Sequence, residues 1–181
     1  MEDEDLIDHK KYDYTSNGKK SEARSEGFFE SIGLATCPTI SWTQFIVIIS
    51  LIEVVTFIIS CCIYGLSNSE AFAPNPRALA LLGWKDAKRI KNNYELYRFI
   101  TPTFLHGNAY HILANIFSQL FLGSGTEYGI GVPWMVFLYF ISGIGGMLLS
   151  CILKPESFAI GASTSVFGLV GYLVSYVFTN W

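Results

Sequence analysis

The sequence predicts an all-α protein, a polytopic helical bundle set in a membrane. Three observations carry this expectation. Apolar side chains make up 51% and aromatic ones 15% of the 181 residues, and mean hydropathy is +0.37, which is too greasy for an ordinary soluble domain. The apolar residues gather in runs long enough to enter or cross a bilayer, where helices and closed barrels alone satisfy every backbone group. Finally, His111, Asn115 and Ser163 stand near the heads of two such runs, and polar side chains at membrane depth are costly unless they line a hydrated cavity. The net charge is only −3 and the bases form no dense run, which argues against nucleic acid as a partner.

Residues 1–41 hold nine of the fifteen acids and five of the twelve bases and lack apolar periodicity, so they read as a disordered acidic tail. A cleavable signal peptide starts basic and then turns apolar; Met-Glu-Asp-Glu-Asp is the reverse, and the tail is expected to stay on the protein. Residues 42–181 read as a membrane domain. Its first helix, about 43–64, is long enough for a hydrocarbon core of about 30 Å. Glu53 lies near the middle of that run and is expected to face a polar neighbour in the bundle or to be protonated, because an ionised carboxylate facing lipid is expensive.

Residues 65–108 form a long connection with six of the twelve bases and a Pro74-Asn75-Pro76 turn signal. Trp84, Tyr94 and Tyr97 suit a bilayer interface, and short amphipathic helices lying in that surface are expected. Further helices are expected at about 110–125, 134–153 and 163–179, giving four spans. Ser142, Gly143, Gly145 and Gly146 on the third helix, and Gly168 and Gly171 on the fourth, allow close backbone approach. Cys37, Cys61, Cys62 and Cys151 show neither zinc-site spacing nor the density of a disulfide scaffold. No His-Glu-x-x-His pattern supports a metal hydrolase, and no repeated halves support a transporter.

Counting crossings gives a geometric test. The second helix begins after one crossing and the fourth after three, so their N-termini lie on the same side and His111, Asn115 and Ser163 can meet. A serine needs a base to take its proton and donors to hold the developing oxyanion. At the start of a helix the backbone N–H of Ser163 is unpaired, and the helix dipole favours negative charge there. His111 and Asn115, four apart, share a helix face and both carry hydrogen-bond donors. Taken singly, each residue has a plainer use: an N-cap for the serine, interfacial anchoring for the histidine.

Gly83-Trp84-Lys85-Asp86, Glu95-Leu96-Tyr97-Arg98-Phe99-Ile100-Thr101-Pro102-Thr103-Phe104-Leu105-His106, His111-Ile112-Leu113-Ala114-Asn115, Gly125-Thr126-Glu127 and Gly161-Ala162-Ser163 follow one another in the chain. This succession resembles the rhomboid intramembrane serine proteases over about residues 81–181. The resemblance implies a bundle of six or seven helices, of which four are present. It implies that Ser163 is the nucleophile and that His111 and Asn115 help hold the oxyanion. Arg98, Glu127 and His106 are implied as supports of the first loop, of the turn after the second helix and of the polar cavity. Tyr97 stands where the family has tryptophan.

The family's base histidine lies on its sixth helix in an Ala-His motif, and none of His9, His106 and His111 matches it. Two readings therefore stand side by side. In one, the chain is part of an endopeptidase that cleaves transmembrane segments of single-span membrane proteins with a Ser-His dyad, its remaining helices and histidine lying beyond Trp181. In the other, it is a pseudoprotease or derlin-like protein that binds such segments without cutting them. Neither calls for a cofactor or metal. The resemblance implies a multi-pass protein of the plasma membrane or endomembranes with a cytoplasmic N-terminus.

Overall fold

The computed structural model describes residues 40–67 and 72–180; the acidic stretch read as a tail falls outside them as far as residue 39. The described chain is a helical membrane bundle with one minimal hairpin. Its elements are α1 (Phe45–Ile63), β1 (Leu66–Ser67), β2 (Ala73–Pro74), α2 (Pro76–Leu82), α3 (Ala87–Asn93), two 3₁₀ turns (Leu96–Phe99 and Thr101–Phe104), α4 (Ala109–Ser118), a π-helical turn (Gln119–Gly123), α5 (Ser124–Ile130), α6 (Val132–Leu153) and α7 (Ser163–Thr179). β1 and β2 pair antiparallel, Leu66 opposite Pro74.

Two helices, α1 and α6, are long and apolar enough to cross a membrane. On α1 the buried residues Ile46, Ile49, Ser50, Glu53 and Ser60 recur at helical spacing, while Ile48, Leu51, Ile52, Val55, Ile58 and Ile59 are exposed. Apolar side chains thus cover the outer face and the polar ones are turned inward, the arrangement a lipid solvent demands. Ile46, Val47, Ile49, Met135, Tyr139, Ala162 and Leu169 form the core, so α1, α6 and the head of α7 are packed together.

The apolar segment read at 110–125 is part of a longer helical run from Ala109 to Ile130, widened by the π turn at its centre. It continues through polar Ser124, Thr126 and Glu127: Ser124 and Glu127 meet the head of α1, and the Thr126 hydroxyl donates to the Leu122 carbonyl of its own helix at 2.7 Å. The Glu127 carboxylate accepts from the backbone N–H groups of Phe45 (2.8 Å) and Ile46 (2.9 Å), closing donors that a helix N-terminus leaves orphaned. The Gln44 amide donates to the Ser124 carbonyl at 3.1 Å.

Small residues let α6 and α7 touch. A Cβ on Gly168 would run into Ser142, one on Gly146 into Thr164, and one on Gly143 would come within 2.7 Å of Ser165 Oγ. Gly145 and Gly171 face open space, so the close approach rests on one stripe, residues 142, 143 and 146 against 164, 165 and 168.

Residues 72–104 are held by caps. Asn75 accepts from Arg77 N–H to start α2, with Pro76 at its first position, and Gly83 ends it with φ +101°. A side chain at Gly83 would also meet Thr101 and Tyr97. Asp86 accepts from the N–H groups of Lys88 and Arg89 to start α3. Two short helices, each of seven residues, thus occupy this connection; the first buries Ala78 and Leu79 and the second buries none of its residues.

Candidate active site

The site is built where the head of α4 meets the head of α7. Asn108 caps α4, its side-chain oxygen accepting from the His111 N–H at 2.8 Å. This places His111 in the first helical turn. Its Nδ1 faces the Gly107 N–H at 3.5 Å. The other side of the ring lies on the backbone of Gly161: a Cβ there would stand 2.7 Å from both Cε1 and Nε2 of His111. Gly161 also has φ +109°, a conformation side-chain-bearing residues rarely adopt. Two independent constraints thus keep this position bare and let the imidazole reach the chain two residues before Ser163.

Ala162 is the N-cap of α7, and Ser163 is its first helical residue. The plainer reading of the serine as a capping side chain therefore does not hold here: no side chain caps this helix. The Ser163 hydroxyl, half-buried, makes no hydrogen bond among the described residues, and its N–H belongs to the turn whose donors the helix itself leaves unpaired. Asn115 sits one turn after His111 and is buried; its amide donates to the His111 carbonyl at 2.9 Å, which commits one of its two amide hydrogens to its own helix.

His106 lies beside His111, ring centroids 5.2 Å apart and edge to face. It is fully buried, and neither ring nitrogen has a partner among the described residues. Burial, reinforced by the nearby His111, pushes its pKa down to about 4, so the ring is neutral at physiological pH.

The segment that delivers Ser163 hangs from the connection before α4. Gly161 N–H donates to the Pro102 carbonyl at 2.8 Å, and Lys85 N–H to the Ala159 carbonyl at 3.0 Å. Trp84 stacks on Phe158 with centroids 4.2 Å apart. The Lys85 side chain is fully buried, and its ammonium donates to the carbonyls of Lys154 (2.9 Å) and Ser157 (2.5 Å) just past the end of α6. A cation there meets the negative end of the helix dipole. Lys85 was not singled out from the sequence. Its signals were a place in the Gly83-Trp84-Lys85-Asp86 motif and a lysine directly after the apolar run Leu81-Leu82-Gly83-Trp84.

Arg98 is buried and does the same for the other side of the connection. Its Nε donates to Glu95 Oε2 at 2.5 Å and its Nη1 to the carbonyls of Trp84 (3.0 Å) and Ala80 (3.3 Å). The Glu95 carboxyl is held down at about 2, first by Arg98 and then by Asn93 and Tyr97. Of the six residues read from the sequence, His106, His111 and Asn115 gather at the head of α4, and His111 lies against the approach to Ser163. Arg98 stands in the connection behind them. Glu127 lies elsewhere, at the head of α1.

Residues 93–181 match the Rhomboid domain family. Rhomboid-like protease 3 of Toxoplasma gondii is 35% identical over 144 residues, covering 80% of this chain and 52% of its own length. Rhomboid-like protease 2 of the same organism is 33% identical over 146 residues, covering 80% and 51%. RHOMBOID-like protein 1 of Arabidopsis thaliana is 34% identical over 116 residues, covering 64% and 30%. The chain therefore spans about half, or less, of the length of these curated relatives.

Proposed function

Because the chain belongs to the rhomboid family, we propose that it supplies the nucleophile and the oxyanion pocket of a multi-pass intramembrane serine endopeptidase acting on transmembrane segments of single-span membrane proteins. The observation that carries this reading is the packing of His111 on Gly161, which brings an imidazole donor to the approach to an unpartnered serine at a helix head.

In this reading Ser163 Oγ attacks the scissile carbonyl and its proton passes to a base. The C–N bond then breaks, the amine leaves with a proton returned by that base, and water releases the acyl group. The oxyanion is met by the Ser163 N–H, by His111 and by the remaining amide hydrogen of Asn115, aided by the dipole of α7. Arg98, His106 and Glu127 hold the surrounding loops and helix heads. None of the three histidines of the sequence takes the base role in this scheme. The four-span arrangement, the cytoplasmic N-terminus and a plasma-membrane or endomembrane location belong to this same proposal.

The alternative reading is a pseudoprotease that binds transmembrane segments without cleavage. One experiment separates the two. A fluorophosphonate probe applied to the protein expressed from its complete gene, in lipid, should label Ser163 and leave Ser163→Ala unlabelled. Equal labelling of both, or of neither, overturns the catalytic reading.

A further inference from the structure

Beneath the first turn of α7, where the Ser165 hydroxyl lies beside the Tyr139 phenol, a set of polar groups joins three further elements inside the bundle. Glu53 of α1, Gln119 at the start of the π turn and Tyr139 of α6 are each fully buried, at 0% exposure. The Tyr139 hydroxyl lies 2.8 Å from Glu53 Oε1 and 3.3 Å from Gln119 Oε1, and Gln119 Nε2 donates to Glu53 Oε2 at 2.8 Å. Among the described residues no ion pair reaches Glu53.

Counting protons decides the state of this cluster. A phenol carries a single hydrogen, and an ionised carboxylate only accepts. With Glu53 ionised, the Tyr139 hydrogen is spent on Oε1. The Tyr139 and Gln119 oxygens then face each other with no hydrogen between them, and a buried negative charge is left without a counterion. With Glu53 protonated on Oε1, the acid donates to the Tyr139 oxygen, Tyr139 donates to Gln119 Oε1, and Gln119 donates to Glu53 Oε2. Three donors then meet three acceptors, and the ring carries no charge. Polar networks buried in a low dielectric are stable when every member is satisfied in this way.

We propose that Glu53 is a proton-binding site within the membrane domain, held as a neutral carboxylic acid that closes a three-residue hydrogen-bond ring with Tyr139 and Gln119. The ring locks α1, the π turn and α6 together. It also backs the first turn of α7, because Gly143, one turn along α6 from Tyr139, is the residue against which buried Ser165 packs. The proposal does not depend on catalysis by Ser163.

Infrared difference spectroscopy of the full chain in phospholipid bilayers at neutral pH tests it. The unsubstituted protein minus Glu53→Gln should show the C=O stretch of a hydrogen-bonded carboxylic acid, above the amide band, and this band should move to lower frequency on ¹³C-glutamate labelling. A difference spectrum that contains carboxylate stretches alone overturns the proposal. Should Glu53→Gln fail to fold, the labelled unsubstituted protein carries the test by itself. The other nine glutamates include none in a mid-membrane run, so a label-sensitive acid band at neutral pH reports Glu53, and its absence overturns the ring.

Discussion

The connection before α4 and the head of α7 treat polar atoms in opposite ways. In the connection each buried cation is engaged: Arg98 by a carboxylate and two carbonyls, Lys85 by the carbonyls at the end of α6. At the head of α7 and beside it, both nitrogens of His106 and the hydroxyls of Thr164 and Ser165 are buried with no hydrogen bond of good geometry among the described residues, and the half-buried Ser163 hydroxyl makes none there either. Buried polar groups are ordinarily paired. Satisfaction is concentrated in the scaffold and withheld at one place, and that place is where the family resemblance puts the chemistry.

Breaking the scaffold side should give the largest effect. Arg98→Met removes a buried guanidinium and takes the donor from the carbonyls of Trp84 and Ala80; each buried acceptor left unsatisfied costs roughly 1–3 kcal/mol. Equilibrium unfolding in mild detergent should show a loss of that size, with partial recovery in Arg98→Lys. An unchanged midpoint would mean that the connection is not held through Arg98.

The site side is sharpened by pH. His106 titrates at about 4 in the folded chain against 6.5 for an unperturbed histidine, so the unfolded state takes up a proton first as pH falls. Its neutral form contributes stability that is fully present above pH 6.5 and is lost progressively on acidification towards pH 4. The full swing is on the order of 3 kcal/mol at 1.36 kcal/mol per pKa unit. The acid limb of a stability–pH curve should flatten in His106→Leu; a limb of the same slope in both proteins would contradict this.

The smallest effect is expected at the serine itself. With no bond to lose, Ser163→Ala should leave unfolding free energy within about 0.5 kcal/mol of the parent. A larger loss would reveal a structural bond and remove the contrast between the two regions.

The parts legible in the sequence were those with a local or a counting signature. Apolar runs near the length of a bilayer marked α1 and α6, and the parity of crossings anticipated that the heads of α4 and α7 meet. Side-chain pairings across the chain had no such signature. Nothing local to Glu53 names Gln119 and Tyr139, 66 and 86 residues away, and nothing local to Glu127 shows that it closes the head of α1 rather than the turn after its own helix. The four small residues of α6 looked alike in sequence, yet Gly145 faces open space because it lies off the stripe that meets α7.

The π turn at Gln119–Gly123 fixes more than local shape. Each residue of an α-helix advances the azimuth by about 100°, so the wider turn sets the rotational phase between everything before it and everything after it. His111 lies against Gly161 before α7, while Gln119 and Glu127 bond α1 at Glu53 and at Phe45 and Ile46, and these bearings are correct only for this residue count. Buried Gln119 and Gly123, where a Cβ would stand 2.6 Å from Ile46, fix the stretch in kind, and adding or removing a single position would swing the Glu127 carboxylate away from the amides of Phe45 and Ile46.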